Sequence, residues 1–170
     1  MSKLAIDGGE KLYQGSFPMW PSFDDKVYDK VVALLKSGKV NYWTGDVGKQ
    51  FEKAWAKWLG VSDAISVANG TAALHTALAS LGVGPGDEVI VTSYSFIASS
   101  FCVLQAGALP VFVDVGTDHL IDPAKIEAAI TERTKAIVVV HLYGMVADMD
   151  PIMEIRSEEH TSELQSRSDL

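Results

Sequence analysis

The sequence contains a single cysteine, Cys102, so an internal disulfide is excluded. Proteins that fold without disulfides are typical of reducing compartments, and we therefore expect a cytoplasmic protein. Cys102 itself lies within an apolar helical pattern and has no organised base nearby in the sequence. This setting favours buried packing over a nucleophilic role.

Long apolar runs and clusters of basic residues are also missing. The most apolar stretch, residues 136–143, is far too short to span a bilayer, and residues 1–15 lack the apolar core of a signal peptide. The formal net charge is -8 at pH 7, and the sequence contains no cluster of Lys and Arg residues. We therefore expect neither a nucleic acid nor a membrane as a partner, and we assign no metal site.

The sequence does contain a regular alternation of helical and strand patterns. Hydrophobic residues make up 48% of the chain and charged residues 21%, as in globular domains. Helices are predicted at residues 27–35 (ended by Gly38), 47–59 (capped by Asp46 and ended by Gly60), 71–81, 95–106, 123–130 (capped by Asp122) and from Asp150 onward, and strands at residues 64–68, 88–92, 110–114 and 135–141. The strands are continuous apolar runs, which predicts an α/β fold with a mainly parallel sheet and helices on both faces.

Residues 67–78, VANGTAALHTAL, place Gly70 and Thr71 between a predicted strand and an alanine-rich helix. The first amides of a helix have no internal partners and lie at the positive end of its dipole, so they can bind a phosphate. Gly70 allows a close approach, and Thr71 adds a hydroxyl donor. The alternative is that Asn69 and Gly70 form a hairpin turn and that Thr71 is an ordinary helix cap.

Further candidate residues follow other predicted strands. In parallel sheets, ligands bind beyond the carboxyl ends of the strands, where Gly70, residues 93–96 and His141 all lie. The Phe96 ring could lie flat over a planar cofactor or pack in the core. His141 could contact a ligand or satisfy a backbone carbonyl. No GxGxxG motif follows a predicted strand, which argues against an NAD enzyme.

Taken in order, these segments resemble one known family over residues 4–155. The segments are YWTGD, FEKAWAKWLGV, VANGTAALHTAL, GVGPGDEVIVTSYSFIAS, GALPVFVDV, IDPAKIEAAITERTKAIVVVHLYG and ADMDPI. They resemble the DegT/DnrJ/StrS sugar aminotransferases, which are enzymes that use pyridoxal 5'-phosphate (PLP) and have fold type I, like aspartate aminotransferase. The opening LAIDGGEKL and FPMWP is most similar to members that act on keto-cyclitols or amino-sugar precursors.

The resemblance implies roles for particular residues. Thr71 and Ala72 match the residues that bind the PLP phosphate, and Phe96 matches the aromatic residue that stacks on the pyridine ring. Together with the helix-terminus argument, this makes Gly70, Thr71 and Ala72 the candidate residues for the cofactor phosphate. The substrate-binding residues that it implies are Tyr42, Trp43, Thr44 and Gly45, and we add His141 as a further candidate. The implied substrates are a keto-sugar or keto-cyclitol and an amino donor such as glutamate or glutamine. The family pairs as homodimers, in which the second subunit completes the substrate pocket.

The resemblance also implies a Schiff-base lysine and an aspartate at the pyridine nitrogen, both further along the family's chain than residue 155. No lysine here, including Lys125 and Lys135, matches the Schiff-base position, so we assign no catalytic residue and expect no transaminase activity from this chain alone. There are two alternatives. One is a sugar dehydratase of the same family, with a histidine in place of the lysine, and the other is a non-catalytic α/β phosphate-binding module.

The composition changes at residue 156. Residues 156–170 have no apolar periodicity and no aromatic residue. We interpret residues 1–155 as the amino-terminal portion of an aminotransferase large domain and residues 156–170 as a non-native tail, as produced by read-through of a sequencing adapter. An incomplete domain would expose a sheet edge and apolar helix faces, so poor solubility is expected.

Overall fold

The computed structural model describes the backbone of residues 3–159 and the side chains of residues 3–155. The chain divides into two compact units, Met1–Ser66 and Val67–Leu170. Within the described residues, no helix is both long and apolar enough to cross a bilayer.

The first unit is helical. A 3-10 turn at Ala5–Asp7 precedes two helices, α1 (Asp25–Ser37) and α2 (Val47–Leu59). Asp24 caps α1 by accepting a hydrogen bond from the Val27 amide at 3.0 Å. The helices end at Gly38 and Gly60, whose φ angles of 69° and 72° suit glycine, as predicted.

The predicted cap of α2 is wrong. The Asp46 side chain makes no capping hydrogen bond, because its backbone is already near-helical (φ -111°, ψ -8°) instead of extended. Its carboxylate lies 3.8 Å from the Lys49 ammonium instead.

The predicted strand at residues 64–68 is also wrong, since this segment forms no regular structure. The Ser66 amide donates to the Glu52 carboxylate at 2.8 Å, and the Ile65 side chain is 81% exposed. The sheet among the described residues has three strands, and none of them pairs with this segment. An apolar run becomes a strand only when a neighbour accepts its backbone hydrogen bonds.

The second unit contains the predicted α/β alternation. Its elements are α3 (Gly70–Ser80), β1 (Glu88–Thr92), α4 (Ala98–Gln105), β2 (Leu109–Val113), 3-10 turns at Pro123–Lys125 and Glu127–Ala129, β3 (Thr134–Val138) and α5 (Met149–Glu159). The strands lie in the order β2-β1-β3, and β1 is parallel to both neighbours. The α/β fold with a parallel sheet is confirmed.

Both faces of the central strand are covered, as predicted. Val89 and Val91 pack on one face against α3 and α4, where Cys102 is fully buried. Burial raises the pKa of the Cys102 thiol, which fits a packing role. Ile90 packs on the opposite face against Ile126 and, from α5, Ile152.

Most boundaries lie within two residues of the predicted ones, but three segments differ by more or in the type of helix. Helix α4 begins at Ala98 because residues 93–95 form bends beyond β1. The segment after Asp122 forms two 3-10 turns on either side of the buried Ile126, although Asp122 caps it as expected by accepting from the Ala124 amide at 3.1 Å. Strand β3 ends at Val138, the last of its residues that pairs with β1.

Helix α5 continues through residues 156–159, and residues 160–170 lie outside the described part of the chain. The boundary at residue 155 and the origin of the tail therefore stay predictions.

Substituting Ile90→Ala should lower the free energy of unfolding by about 2–5 kcal/mol, because the side chain is fully buried and leaves a cavity. Urea unfolding followed by circular dichroism measures this change. Ile65→Ala is the control, and since Ile65 is 81% exposed its effect should stay within about 0.5 kcal/mol. Equal effects of the two substitutions would contradict the packing described for β1.

Candidate active site

The first turn of α3 offers unpaired donors. Asn69 caps the helix, because its side-chain oxygen accepts from the Ala72 amide at 2.9 Å and its carbonyl accepts from the Ala73 amide at 3.0 Å. The amides of Gly70 and Thr71 precede the first intrahelical bond, and in the described structure neither they nor the Thr71 hydroxyl form a hydrogen bond. These three donors suit the oxygens of a phosphate.

Access to this turn is open. A Cβ atom added at Gly70 would meet nothing within 4 Å, so a ligand can approach the backbone closely. The hairpin alternative is wrong, since Asn69 and Gly70 begin a helix, and the capping residue is Asn69 and not Thr71. The Ala72 amide is used by Asn69, so a phosphate would have to displace that side chain to bind it. The turn therefore fits the phosphate of PLP through Gly70 and Thr71 first.

Phe96 lies in the turn between β1 and α4, at the carboxyl edge of the sheet, and its side chain is 74% exposed. Its carbonyl accepts from the Ser99 amide and from the Ser95 hydroxyl, both at 3.1 Å, which fixes the backbone of the turn. The ring is therefore not part of the core, and one of its faces is available to a planar ligand.

The loops after β1 and β2 are joined by hydrogen bonds at the same edge. The Ser93 hydroxyl donates to the Asp114 carboxylate at 3.1 Å, and the Ser93 amide donates to the Val113 carbonyl at 2.9 Å. An open cleft of about 370 Å³ lies beside them and includes Lys125. The Lys125 ammonium lies 3.4 Å from the Asp122 carboxylate, so it has a structural partner.

His141 lies three residues beyond β3 and is exposed. Its Nδ1 accepts a hydrogen bond from the Ala147 amide at 3.1 Å, the reverse of the bond to a carbonyl that the sequence offered as an alternative. A neutral ring that accepts at Nδ1 carries its hydrogen on Nε2. His141 therefore presents a donor that can face a ligand.

The loop at residues 42–45 belongs to the first unit and is held by Asn41. The Asn41 side-chain oxygen accepts from the Trp43 amide at 3.0 Å, and from the amide and hydroxyl of Thr44 at 3.0 and 3.1 Å. The Gly45 amide donates to the Asn41 carbonyl at 2.9 Å, and a Cβ at Gly45 would overlap the Lys39 carbonyl. Sequence reasoning missed Asn41, although asparagine in a loop signals such a turn.

Glu52 of α2 also contacts the loop at residues 42–45, although it is not part of that loop. Its carboxylate accepts from the Tyr42 hydroxyl at 3.0 Å, and from the amide and hydroxyl of Ser66 at 2.8 and 2.7 Å. The donors on Ser66 lower the pKa of Glu52, and the bond to this carboxylate together with its charge raises the pKa of Tyr42. No local pattern in the sequence predicts this contact, because Ser66 is 14 residues from Glu52.

The predicted site residues are thus distributed over both units. Gly70, Thr71, Ala72, Phe96 and His141 lie in the second unit, and Tyr42, Trp43, Thr44 and Gly45 lie in the first. Within the second unit, Phe96 and His141 follow neighbouring strands of one parallel sheet. Their assigned roles stay predictions.

Residues 21–162 match the model of the DegT/DnrJ/EryC1/StrS aminotransferase family. The chain belongs to this family. The match includes every predicted site residue, and it confirms the resemblance found in the ordered motifs.

Curated relatives of this chain include an inosose aminotransferase and a GDP-perosamine synthase. L-glutamine:scyllo-inosose aminotransferase of Streptomyces griseus is 42% identical over 91% of this chain and 38% of its own length. GDP-perosamine synthase of Caulobacter vibrioides is 54% identical over 79% of this chain and 36% of its own length. The chain therefore spans less than two fifths of these relatives.

Solved structures agree with the fold. An aminotransferase from Psychrobacter cryohalolentis has a TM-score of 0.80 and 47% identity, with 86% of this chain and 37% of that one covered. NtdA from Bacillus subtilis, solved with bound cofactor PMP, has a TM-score of 0.73 and 40% identity, with 81% of this chain and 32% of that one covered. This member of the DegT/DnrJ/EryC1/StrS family therefore has the fold of aminotransferases that bind such cofactors, as predicted.

The Glu52 contacts of this DegT-family chain should depend on pH. A carboxyl with a lowered pKa keeps its bonds above that pKa and loses them as pH falls through it. Tyr42, whose pKa is raised, loses its bond as pH rises through the raised value. In an NMR titration, the Ser66 amide resonance should therefore shift on acidification with a midpoint below the ordinary glutamate value.

Glu52→Gln should abolish this midpoint, while Glu127→Gln, which alters an exposed glutamate of the second unit, should preserve it. A Ser66 titration that survives in Glu52→Gln would show that the acid transition belongs to another group.

Proposed function

We propose that the protein to which this chain belongs is a cytoplasmic PLP-dependent aminotransferase that transfers an amino group from glutamate or glutamine to a keto-sugar or keto-cyclitol. The observation that carries the proposal is the open first turn of α3, with unpaired amides at Gly70 and Thr71, in a chain of an aminotransferase family. The relatives, which aminate inosose or synthesise GDP-perosamine, support the substrate class.

The residues of the second unit would bind and orient the cofactor. Gly70 and Thr71 donate to the phosphate oxygens, with Ala72 as a further donor once its bond to Asn69 is released. The exposed ring of Phe96 would offer a face to the pyridine ring. When bound, PLP supplies the electron sink that amino transfer requires.

Other residues would contact the substrate. Tyr42, Trp43, Thr44 and Gly45 form a loop that Asn41 and Glu52 hold in shape before any ligand arrives, which lowers the entropic cost of binding. His141 offers its Nε2 hydrogen to a substrate oxygen. We further propose that the protein acts as a homodimer whose second subunit completes the pocket.

The proposal assigns no lysine of this chain to the covalent attachment of PLP. The described partner of Lys125 is Asp122, whose side chain caps a 3-10 turn, and this bond gives Lys125 a structural role. We therefore expect the 170-residue chain to bind PLP reversibly and to show no steady amino transfer from glutamate. Borohydride-stable attachment of PLP to the chain, or steady turnover, would contradict this assignment.

Substituting Thr71→Val should weaken PLP binding about tenfold or more, because it removes a hydrogen bond to a charged phosphate and keeps the shape of the side chain. PLP fluorescence or absorbance titration of the 170-residue chain measures the dissociation constant. Thr76→Val, an exposed position further along α3, is the matched control and should bind PLP like the wild type. Equal affinities of Thr71→Val and Thr76→Val would overturn the proposed phosphate site.

Phe96→Ala should weaken PLP binding about 2- to 12-fold, the loss expected for one aromatic stacking contact. The same titration measures it. Phe112→Ala is the control, since Phe112 is also exposed, at 59%, but lies on β2. If both variants bind PLP as the wild type does, the ring of Phe96 has no part in holding the cofactor.

A further inference from the structure

The order of the strands predicts a crevice between the carboxyl ends of β1 and β3. After β1 the chain enters α4, which packs on the sheet face of Val89 and Val91. After β3 it enters α5, which packs on the opposite face, that of Ile90. Neighbouring parallel strands whose connections leave to opposite faces open a crevice at their carboxyl ends, and ligands of such sheets bind there.

Two tyrosines meet across this crevice. Tyr94 lies on the loop after β1 and Tyr143 on the loop after β3, and their hydroxyl oxygens are 3.0 Å apart. Their ring centroids are 6.3 Å apart, and the side chains are 45% and 72% exposed. The contact joins the same two loops that carry Phe96 and His141.

Backbone strain is concentrated at the partners of Tyr94. Among the residues that the structure describes, the non-glycine residues with positive φ are His119, at 66°, and Tyr143, at 56°. Both stack near Tyr94, since the centroid of His119 lies 5.6 Å from its ring. Bulky residues rarely adopt this conformation, and such outliers cluster at ligand sites. The exposure of these rings excludes core packing as the reason.

We propose that Tyr94 and Tyr143, with His119 beside them, form a subsite for an uncharged ring that bears several hydroxyls. This inference rests on the proposed function, and it assigns the subsite to the sugar or cyclitol ring of the amino acceptor.

The chemistry of the pair suits a neutral polyol. One hydrogen bond between two hydroxyls leaves one O–H hydrogen and several lone pairs for a third hydroxyl, while the rings offer apolar faces. In the described part of the chain, neither tyrosine has a hydrogen bond or ring contact with a lysine or arginine, which a phosphate would favour. The bond to Tyr94 and the charge that Tyr94 can carry raise the pKa of Tyr143, so its hydroxyl stays protonated at neutral pH.

The test is an NMR titration of the 170-residue chain with myo-inositol. We expect saturable shifts in the amides of residues 94–96 and 141–144. Tyr94→Phe and Tyr143→Phe each remove one hydroxyl and keep the ring, and each should weaken binding about 3- to 10-fold, as for one neutral hydrogen bond. His119→Asn removes the ring but keeps a residue that tolerates positive φ, and it should also weaken binding.

Tyr28→Phe, in α1 of the first unit, is the matched control and should bind myo-inositol like the wild type. Inorganic phosphate is the counter-probe and should shift residues 70–72 instead. The absence of saturable myo-inositol shifts in the wild type would overturn the subsite, as would wild-type affinity in both Tyr→Phe variants or phosphate shifts at residues 94–96. PLP titration of the wild type tests the proposed function separately, so either idea can fail alone.

Discussion

The second unit depends on the burial of β1. All five of its residues are buried, and both its edges and both its faces are occupied. At its amino end, the buried carboxylate of Glu88 pairs with Arg133 and accepts from the Thr131 hydroxyl at 2.6 Å, which leaves no unpaired charge inside. Because both neighbours run parallel to β1, their carboxyl ends meet at one edge. The loops that follow the three strands therefore lie close to one another at this edge.

This geometry separates stability from function within the same unit. The amino edge and the faces are closed by apolar packing and by the Glu88 contacts. At the carboxyl edge, the side-chain contacts that join the loops after neighbouring strands are exposed polar and aromatic ones. Such contacts are weak individually, so the loops can exchange them for contacts with a ligand. The first turn of α3 is likewise able to exchange or form contacts with a ligand. Asn69 accepts from one amide, that of Ala72, and the amides of Gly70 and Thr71 stay available to an anion.

The sequence predicted most of the features that depend on local patterns. Helix periods, glycine ends and the donors of α3 are set by residues within a few positions of one another, and the structure has them where they were expected. Some failures are local, such as the cap predicted at Asp46 and the turn held by Asn41, but the others depend on distant partners. Residues 64–68 have the composition of a strand but no neighbour to pair with, Glu52 finds Ser66 14 residues away, and Tyr94 finds Tyr143 49 residues away. The periodicity of hydrophobic residues in a single sequence does not indicate which distant residues form such pairs.

The first unit is ordered by a different principle, because it has almost no core. In α2 only Ala56 is buried, while Phe51, Trp55 and Trp58 stack on one another at 46–74% exposure. The loop at residues 42–45 therefore takes its shape from hydrogen bonds to two residues, Asn41, through its side-chain oxygen and its carbonyl, and Glu52, through its carboxylate. Each bond is exposed and screened by water, so it stabilises little by itself. Several donors that share one acceptor together restrict the conformation of the loop more than a single bond does. Because one of these acceptors is the Glu52 carboxylate, the conformation of the loop depends on the charge of that group.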